Sequence, residues 1–239
     1  MDSTLARWPT GLIPVRGLMS VMHLLIDATG VVILDTGLPP DASRITLAIA
    51  HAGLGPRDVR AIILTHGHLD HAGGTAELKE WCGAPVYAHS LDQPHLDGTA
   101  QVRGRARIGA ALEAAGRAMF RYRPGKIDAP LADGEELPFW GGLRVVHLPG
   151  HTLGHCGFYS AKHDLLFTAD LWARFMMVVQ VSPPIFTAAP ELVAPSFRKA
   201  RALGARRIVP NHYGKPDALR LRRSFENLCD TMEKRVPVV

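Results

Sequence analysis

The segment Thr65-His66-Gly67-His68-Leu69-Asp70-His71 places three histidines and one aspartate within six residues, in a chain of 239 residues that holds 12 histidines in all. Imidazole and carboxylate are the ligands that borderline divalent ions such as zinc prefer. A tight loop can aim His66 and His68 at one ion and Asp70 and His71 at a neighbouring one, with Gly67 letting the backbone turn sharply between ligands. Burying four such groups without a cation would leave lone pairs unmatched, which argues against a loop of merely structural histidines. Three further candidates stand at the ends of apolar runs. His151 follows LRVVHLPG, Asp170 closes LLFTAD, and His212 follows RIVPN. Each is a polar residue at the mouth of a strand, where loops converge to make sites.

Taken together, H-x-H-x-D-H over 66–71, P-G-H-T-x-G-H over 149–155, T-A-D over 168–170 and a late histidine before Tyr213-Gly214 resemble the motif set of the metallo-β-lactamase superfamily. The nearest resemblance is to its glyoxalase II-like hydrolases. Ile33-Leu34-Asp35-Thr36-Gly37 resembles the first motif of the same superfamily, so the likeness runs over nearly the whole chain. It implies an α/β (α+β) fold, the four-layer αββα sandwich. It also implies that His66, His68 and His151 hold one divalent ion, that Asp70, His71 and His212 hold a second, and that Asp170 bridges the two. Zinc is the first expectation for both ions, with iron or manganese as alternatives. Two such ions ~3.5–4 Å apart share one water and lower its pKa from ~15.7 toward ~7, giving a bridging hydroxide that attacks a carbonyl or phosphoryl centre. A metal then polarises the oxygen that becomes negative. Asp70 is the candidate catalytic residue, orienting the nucleophile or carrying its proton. Asp35 is expected to support a ligand or the histidine loop through hydrogen bonds.

The elements that must position these residues follow from periodicity and punctuation. Val21–Ile26 and Val31–Leu34 flank Ala28-Thr29-Gly30 and read as a hairpin. Residues 41–53 have helical spacing, with Asp41 as the expected N-cap and Gly53 as the stop. A short buried strand at 61–64 runs straight into the histidine segment, and a helix is expected over 72–82, then a strand at 86–88. A basic, Ala-rich helix is expected over 101–123. Short strands follow near 136–137, 143–148, 156–159 and 165–168, then a helix over 190–203, a strand at 207–209 and a helix over 216–233. Strands in two runs, each followed by helices, suit two face-to-face sheets with helices outside. No linker divides the chain, so one domain over 1–239 is expected. The apolar, Pro-broken stretch 174–190 reads equally as buried packing or as a lid, and the basic helix over 101–123 is the competing candidate for a lid. Phe175, Met176 and Tyr213 are the candidate pocket residues.

Composition narrows the function classes. The chain is 47% hydrophobic and 21% charged, enough to bury a core. A net charge of +5 with arginines spread along the sequence is weak evidence for an anionic partner. Three widely spaced cysteines without a CxxC fit a reducing compartment. The segment MDSTLARWPTGLIPV lacks the pattern of a signal peptide, and no apolar run approaches the ~20 residues of a membrane span. A soluble cytoplasmic enzyme with a small-molecule substrate is therefore expected, with nucleic acid and membrane disfavoured as partners and a dimer left open.

Departures from related branches narrow it further. Asp170 argues against β-lactamase activity proper, and His68 argues against the oxygen-reducing branch, whose pattern carries Glu there. The nuclease branches carry a large extra domain, for which this length leaves no room. Glyoxalase II proper has a longer C-terminal helical extension with cationic residues; only Arg220, Arg222 and Arg223 stand in a comparable place. Hydrolysis of an ester, lactone or thioester is the leading expectation. A persulfide dioxygenase on one iron is the second. A phosphodiester- or nucleic-acid-binding role, suggested by the basic helix, is the third.

Overall fold

The computed structural model describes residues 8–175, 178–214 and 217–234. Its first sheet contains β1 (Leu12–Arg16), β2 (Val21–Asp27), β3 (Gly30–Leu34), β4 (Val59–Ile63), β5 (Val86–Ala88) and β6 (Ala129–Pro130), paired in that order. β1, β2 and β3 pair antiparallel; β3 through β6 pair parallel. The second sheet begins with β7 (Glu136–Leu137), β8 (Leu143–His147), β9 (Cys156–Ser160) and β10 (Leu165–Ala169). A separate hairpin, β11 (Trp172–Phe175) and β12 (Val178–Val181), follows. The chain then returns as β13 (Arg207–Pro210), parallel to β10, closing the order β13-β10-β9-β8-β7.

Alternation along the strands sorts side chains into layers. Along β3 and β4, Val32, Leu34, Ala61 and Ile63 join the core shared with Val145, Phe158 and Phe167 of the second sheet. Their neighbours Val31, Ile33 and Ile62 turn to the other face, against Ile45 and Ile49 of α1 (Ala42–His51) and Leu78 of α3 (Thr75–Cys82). Strands buried on both faces read as near-continuous apolar runs, which is why β3, β4 and β10 carry so few polar residues. Phe197 of α6 (Val193–Ala202) and Leu221 and Phe225 of α7 (Ala218–Lys234) cover the second sheet. Two mixed sheets flanked by helices are the four layers expected from the motifs. Among the described residues no helix is long and apolar enough to cross a membrane.

Three local expectations are corrected. Asp41 precedes α1 but does not cap it; its carboxylate accepts from Leu18 N and Leu38 N, each at 3.1 Å, and so ties the preceding loop. The helix expected over 72–82 is two pieces, α2 (Leu69–Ala72) and α3, so Asp70 and His71 sit on their own short helix. The basic helix is shorter than expected. After α4 (Gln93–Asp97), α5 spans Ala106–Met119, bounded by left-handed residues at Gly104 (φ 57°) and Arg121 (φ 51°).

Candidate metal centre

All the sequence-derived ligand candidates lie where strands of both sheets end. β4 delivers Thr65 and His66, β10 delivers Asp170, and β13 delivers Asn211 and His212. Two of these exits take uncommon backbone. Asp35, just past β3, has φ 61°, and Ala169, just before Asp170, has φ 44° next to a register shift in the β10–β13 pairing. Non-glycine residues in this region are strained and persist where the surroundings over-determine them. At Asp35 the reason is visible. Its buried carboxylate accepts from Thr65 N (2.7 Å), Thr65 Oγ1 (2.8 Å), His71 Nδ1 (3.0 Å) and Asn211 Nδ2.

These bonds fix the imidazole tautomers. The single proton of the Thr65 hydroxyl goes to Asp35, so at 3.0 Å the hydroxyl must accept from His66 Nδ1. His71 Nδ1 donates to Asp35, and His212 Nδ1 donates to the Met19 carbonyl at 3.0 Å. In the neutral form, which a metal ligand must take, each ring then points a bare Nε2 inward. Those nitrogens converge. His66 Nε2 lies 3.1 Å and His68 Nδ1 2.8 Å from His151 Nε2, while His71 Nε2 lies 3.3 Å from His212 Nε2. Ring nitrogens at such distances need a cation or a proton between them. Asp170 Oδ1 is 3.4 Å from His71 Nε2. Its Oδ2 is 3.1 Å from His212 Nε2 and 3.6 Å from His151 Nε2. Asp70 Oδ2 lies 3.4 Å from His212 Nε2 and 3.5 Å from His71 Nε2. The donor atoms of His66, His68 and His151 fall within 4.8 Å of one another, as do those of Asp70, His71 and His212. Asp170 Oδ1 and His151 Nδ1 are buried with no hydrogen-bond partner. The donor set is consistent with a dinuclear metal site, with Asp170 between the two groups.

The electrostatics agree. Burial, reinforced by neighbouring imidazoles, holds His66 and His151 well below the usual histidine range, and burial brings His68 down to about 4. Three neutral imidazoles are what a cation requires as ligands. Burial alone would raise the Asp70 and Asp170 carboxyls, but the adjacent His71 and His212 outweigh it and hold both well below the carboxylate range. Two adjacent ionised carboxylates, Asp170 buried and Asp70 partly so, therefore demand positive charge at this point.

Several further residues support the site, and of these Asp92 and Glu113 escaped the sequence reading. The buried Asp92 accepts from Gly67 N (2.9 Å), Thr152 Oγ1 (2.8 Å) and Gly154 N (2.9 Å), and so clamps the loops of His66–His68 and His151 together. Burial pushes its carboxyl up to about 6. His155 donates from Nδ1 to Leu148 O and accepts at Nε2 from Asp170 N, a structural role beside Asp170. His95 stands edge-on to His68 with ring centroids 5.1 Å apart. Glu113 bonds Leu69 N and Arg117, holding α5 against the histidine loop. Gly67 turns between the ligands without a positive φ. Its glycine is required by contact, because a Cβ there would lie 2.6 Å from His95 Cβ and 2.9 Å from Asp92 O.

Asp35→Ala is expected to weaken metal affinity by about 10- to 100-fold, since removing a carboxylate that orients ligands typically costs that much. Competition against a chromophoric chelator measures it. An affinity equal to wild type would show that Thr65 and Asn211 hold the histidines without Asp35.

A chamber of about 460 Å³ opens on this cluster, reached by His68, Asp70, His151, Asp170 and His212. Both segments considered as lids line it: α5 through Leu112, Gly116 and Phe120, and the β11–β12 region through Ala173, Gln180 and Phe186. They pack on each other, since a Cβ at Gly109 would strike the Ile185 carbonyl. Among the expected pocket residues, Met176 lies outside the described residues, as does the side chain of Phe175. Tyr213 is a correction. It is buried, with its hydroxyl 3.1 Å from His23 Nε2 and its ring stacked on His23, and it does not line the chamber. His212 faces the ligands, while its neighbour packs against His23 in the bend that follows β13.

A family profile described as the Metallo-beta-lactamase superfamily matches residues 15–212. A curated hydroxyacylglutathione hydrolase of Bdellovibrio bacteriovorus is 30% identical over 145 residues, which is 56% of this chain; the match spans 46% of that relative's length, about half. The crystal structure of a metallo-beta-lactamase family protein from Thermus thermophilus superposes with a TM-score of 0.72 at 26% identity, covering 94% of this chain and 79% of that one. A further crystal structure, of a protein in a di-iron-bound form, matches with a TM-score of 0.66 at 29% identity, covering 89% of this chain and 96% of that one.

Proposed function

Because the chain belongs to the metallo-β-lactamase superfamily, we propose that it is a dinuclear metal-dependent hydrolase that cleaves an ester, lactone or thioester bond of a small molecule. The observation that carries this reading is the Asp170 carboxylate, set between a three-histidine group and an Asp70–His71–His212 group at the end of a chamber. His66, His68 and His151 would hold one ion, Asp70, His71 and His212 the other, and Asp170 both. Two divalent ions held there supply a nucleophilic water of lowered pKa and a Lewis acid for the scissile carbonyl. The protein's own contribution is placement. Asp35, Thr65 and Asn211 fix the imidazole tautomers, and Asp92 fixes the two loops. The Asp70 side chain, 22% exposed and lining the chamber, is the carboxylate positioned to orient the nucleophile and carry its proton.

Zinc suits the mixture of imidazole and carboxylate, and the di-iron form of a relative supports iron as the alternative. The name of the Bdellovibrio relative supports the thioester member of the substrate class. A persulfide dioxygenase needs one iron, and the completeness of the second group weighs against it. Arg103, Arg105 and Arg107 are exposed and do not line the chamber, which weighs against a phosphodiester role at the metals. Metal counting, combined with a panel of lactones, thioesters and phosphotriesters, tests the reading. Two ions per chain and turnover of a carboxylic substrate are expected. One iron per chain, or cleavage of the phosphotriester alone, would overturn it.

A further inference from the structure

We propose that the substrate carries an uncharged, apolar arm beside its scissile carbonyl, and that the chamber between α5 and the β11–β12 region binds that arm. This rests on the hydrolase reading above, and it names the substrate class within it. The wall is formed by Met19, Leu38, Leu69, Leu112, Phe120 and Phe186, together with Ala173 and Pro183. Its volume of about 460 Å³ suits an organic arm and far exceeds what an acetyl group fills. One end meets the metal-cluster residues. Met19 and Leu112, which are 57% and 56% exposed, mark its mouth.

The charges exclude the opposite substrate. No lysine or arginine is among the described residues lining the chamber. Arg117, which lines a smaller pocket beside His68 and His151, is spent on Glu113 Oε1, His95 O and Leu96 O and lies over the Tyr122 ring at 4.4 Å. Glu113 in turn is spent on Leu69 N and Arg117. The remaining polar wall is neutral: Gln180, and Ser182, whose hydroxyl already donates to Asp170 O. A compact polyanion would therefore enter an apolar space with no counter-charge beyond the metals, whereas each methylene of an aliphatic arm leaves water for contact with Leu and Phe side chains.

The zinc-loaded enzyme is assayed on p-nitrophenyl esters from acetyl through octanoyl and on alkyl acetates of matching length, at low and high salt. In parallel, calorimetry measures affinity for straight-chain alkyl hydroxamic acids of the same lengths. In one of the two ester series kcat/KM should rise about four-fold per methylene until the chamber is filled, with little dependence on salt. Hydroxamate affinity should rise in step, and Leu112→Glu should flatten both slopes. If no ester, lactone or thioester turns over but hydroxamates still bind more tightly with length, the chamber assignment stands and the hydrolase reading falls. If esters are cleaved while both ester series and the hydroxamate affinities are flat with length, the hydrolase reading stands and the apolar-arm assignment is overturned. A rising slope untouched by Leu112→Glu would also overturn the assignment, because the arm would then lie elsewhere.

Discussion

Replacing Asp170 by alanine should leave the chain folded and lower kcat/KM by about three orders of magnitude. The fold should survive because the backbone of Asp170 is anchored independently of its carboxylate. Its N–H donates to His155 Nε2 and its carbonyl accepts from the Ser182 hydroxyl. The carboxylate itself makes no hydrogen bond to the core; its neighbours are His71, His151 and His212. Removing it takes away a carboxylate in reach of both ligand sets and half of the negative charge that Asp70 and Asp170 supply to the cluster. Metal-centred charge stabilisation is worth several kcal/mol, and about 4 kcal/mol corresponds to a thousand-fold in rate. Asp170→Asn keeps the shape and loses the charge, so it should fall between alanine and wild type. Metal content, kcat/KM and circular dichroism are measured on the same preparations. A folded Asp170→Ala protein with two tightly held ions and an undiminished rate would refute the bridging role.

Much of this centre was legible in the sequence because its ligands are written in short stretches. His66, His68, Asp70 and His71 fall on one loop and one turn of helix, and a strand must end just before them. Asp35 was legible as a support for a ligand or the histidine loop, and its bonds to Thr65 and His71 are of that kind; its bond to Asn211 was not legible. What stayed hidden depends on contacts between distant segments. Asp92 lies in a stretch with no motif, and its importance comes from Gly67, Thr152 and Gly154, the last two about 60 residues away. His95 has no ligand-spaced companion in sequence; α4 carries it to His68. Tyr213 adjoins His212 in sequence, but adjacency is not proximity to substrate: the bend that follows β13 packs its ring into the core against His23. The choice between two lids had no answer along the chain, since Gly109 seats one segment against the other.

Stripping the metals should lower the melting temperature by about 10 °C without unfolding the protein, and two equivalents of zinc should restore it. Ions bound only by the folded chain stabilise it by about 4 kcal/mol when present at a thousand times their dissociation constant. For a protein of this size each kcal/mol moves the melting temperature by about 2–4 °C. The stripped protein stays folded because protons can replace the ions. Burial opposes protonation of His71 and His212, but Asp170 and Asp70 overcome it, raising His71 well above the usual range and His212 to about 10. A histidine whose folded pKa is raised contributes stability that is fully present below its unfolded pKa of about 6.5 and is lost as pH rises through the folded value. Metal binding works in the reverse sense, since it requires deprotonated ligands. The gap in melting temperature between zinc-loaded and stripped protein should therefore widen steadily as pH is raised from about 6.5 toward 10. Differential scanning calorimetry across that range, with zinc titrated to stoichiometry, reads both the size of the gap and its slope. A gap that closes with rising pH, or a stripped protein that melts with the loaded one at every pH, would mean that the converging nitrogens of His66, His151, His71 and His212 are held by the fold alone.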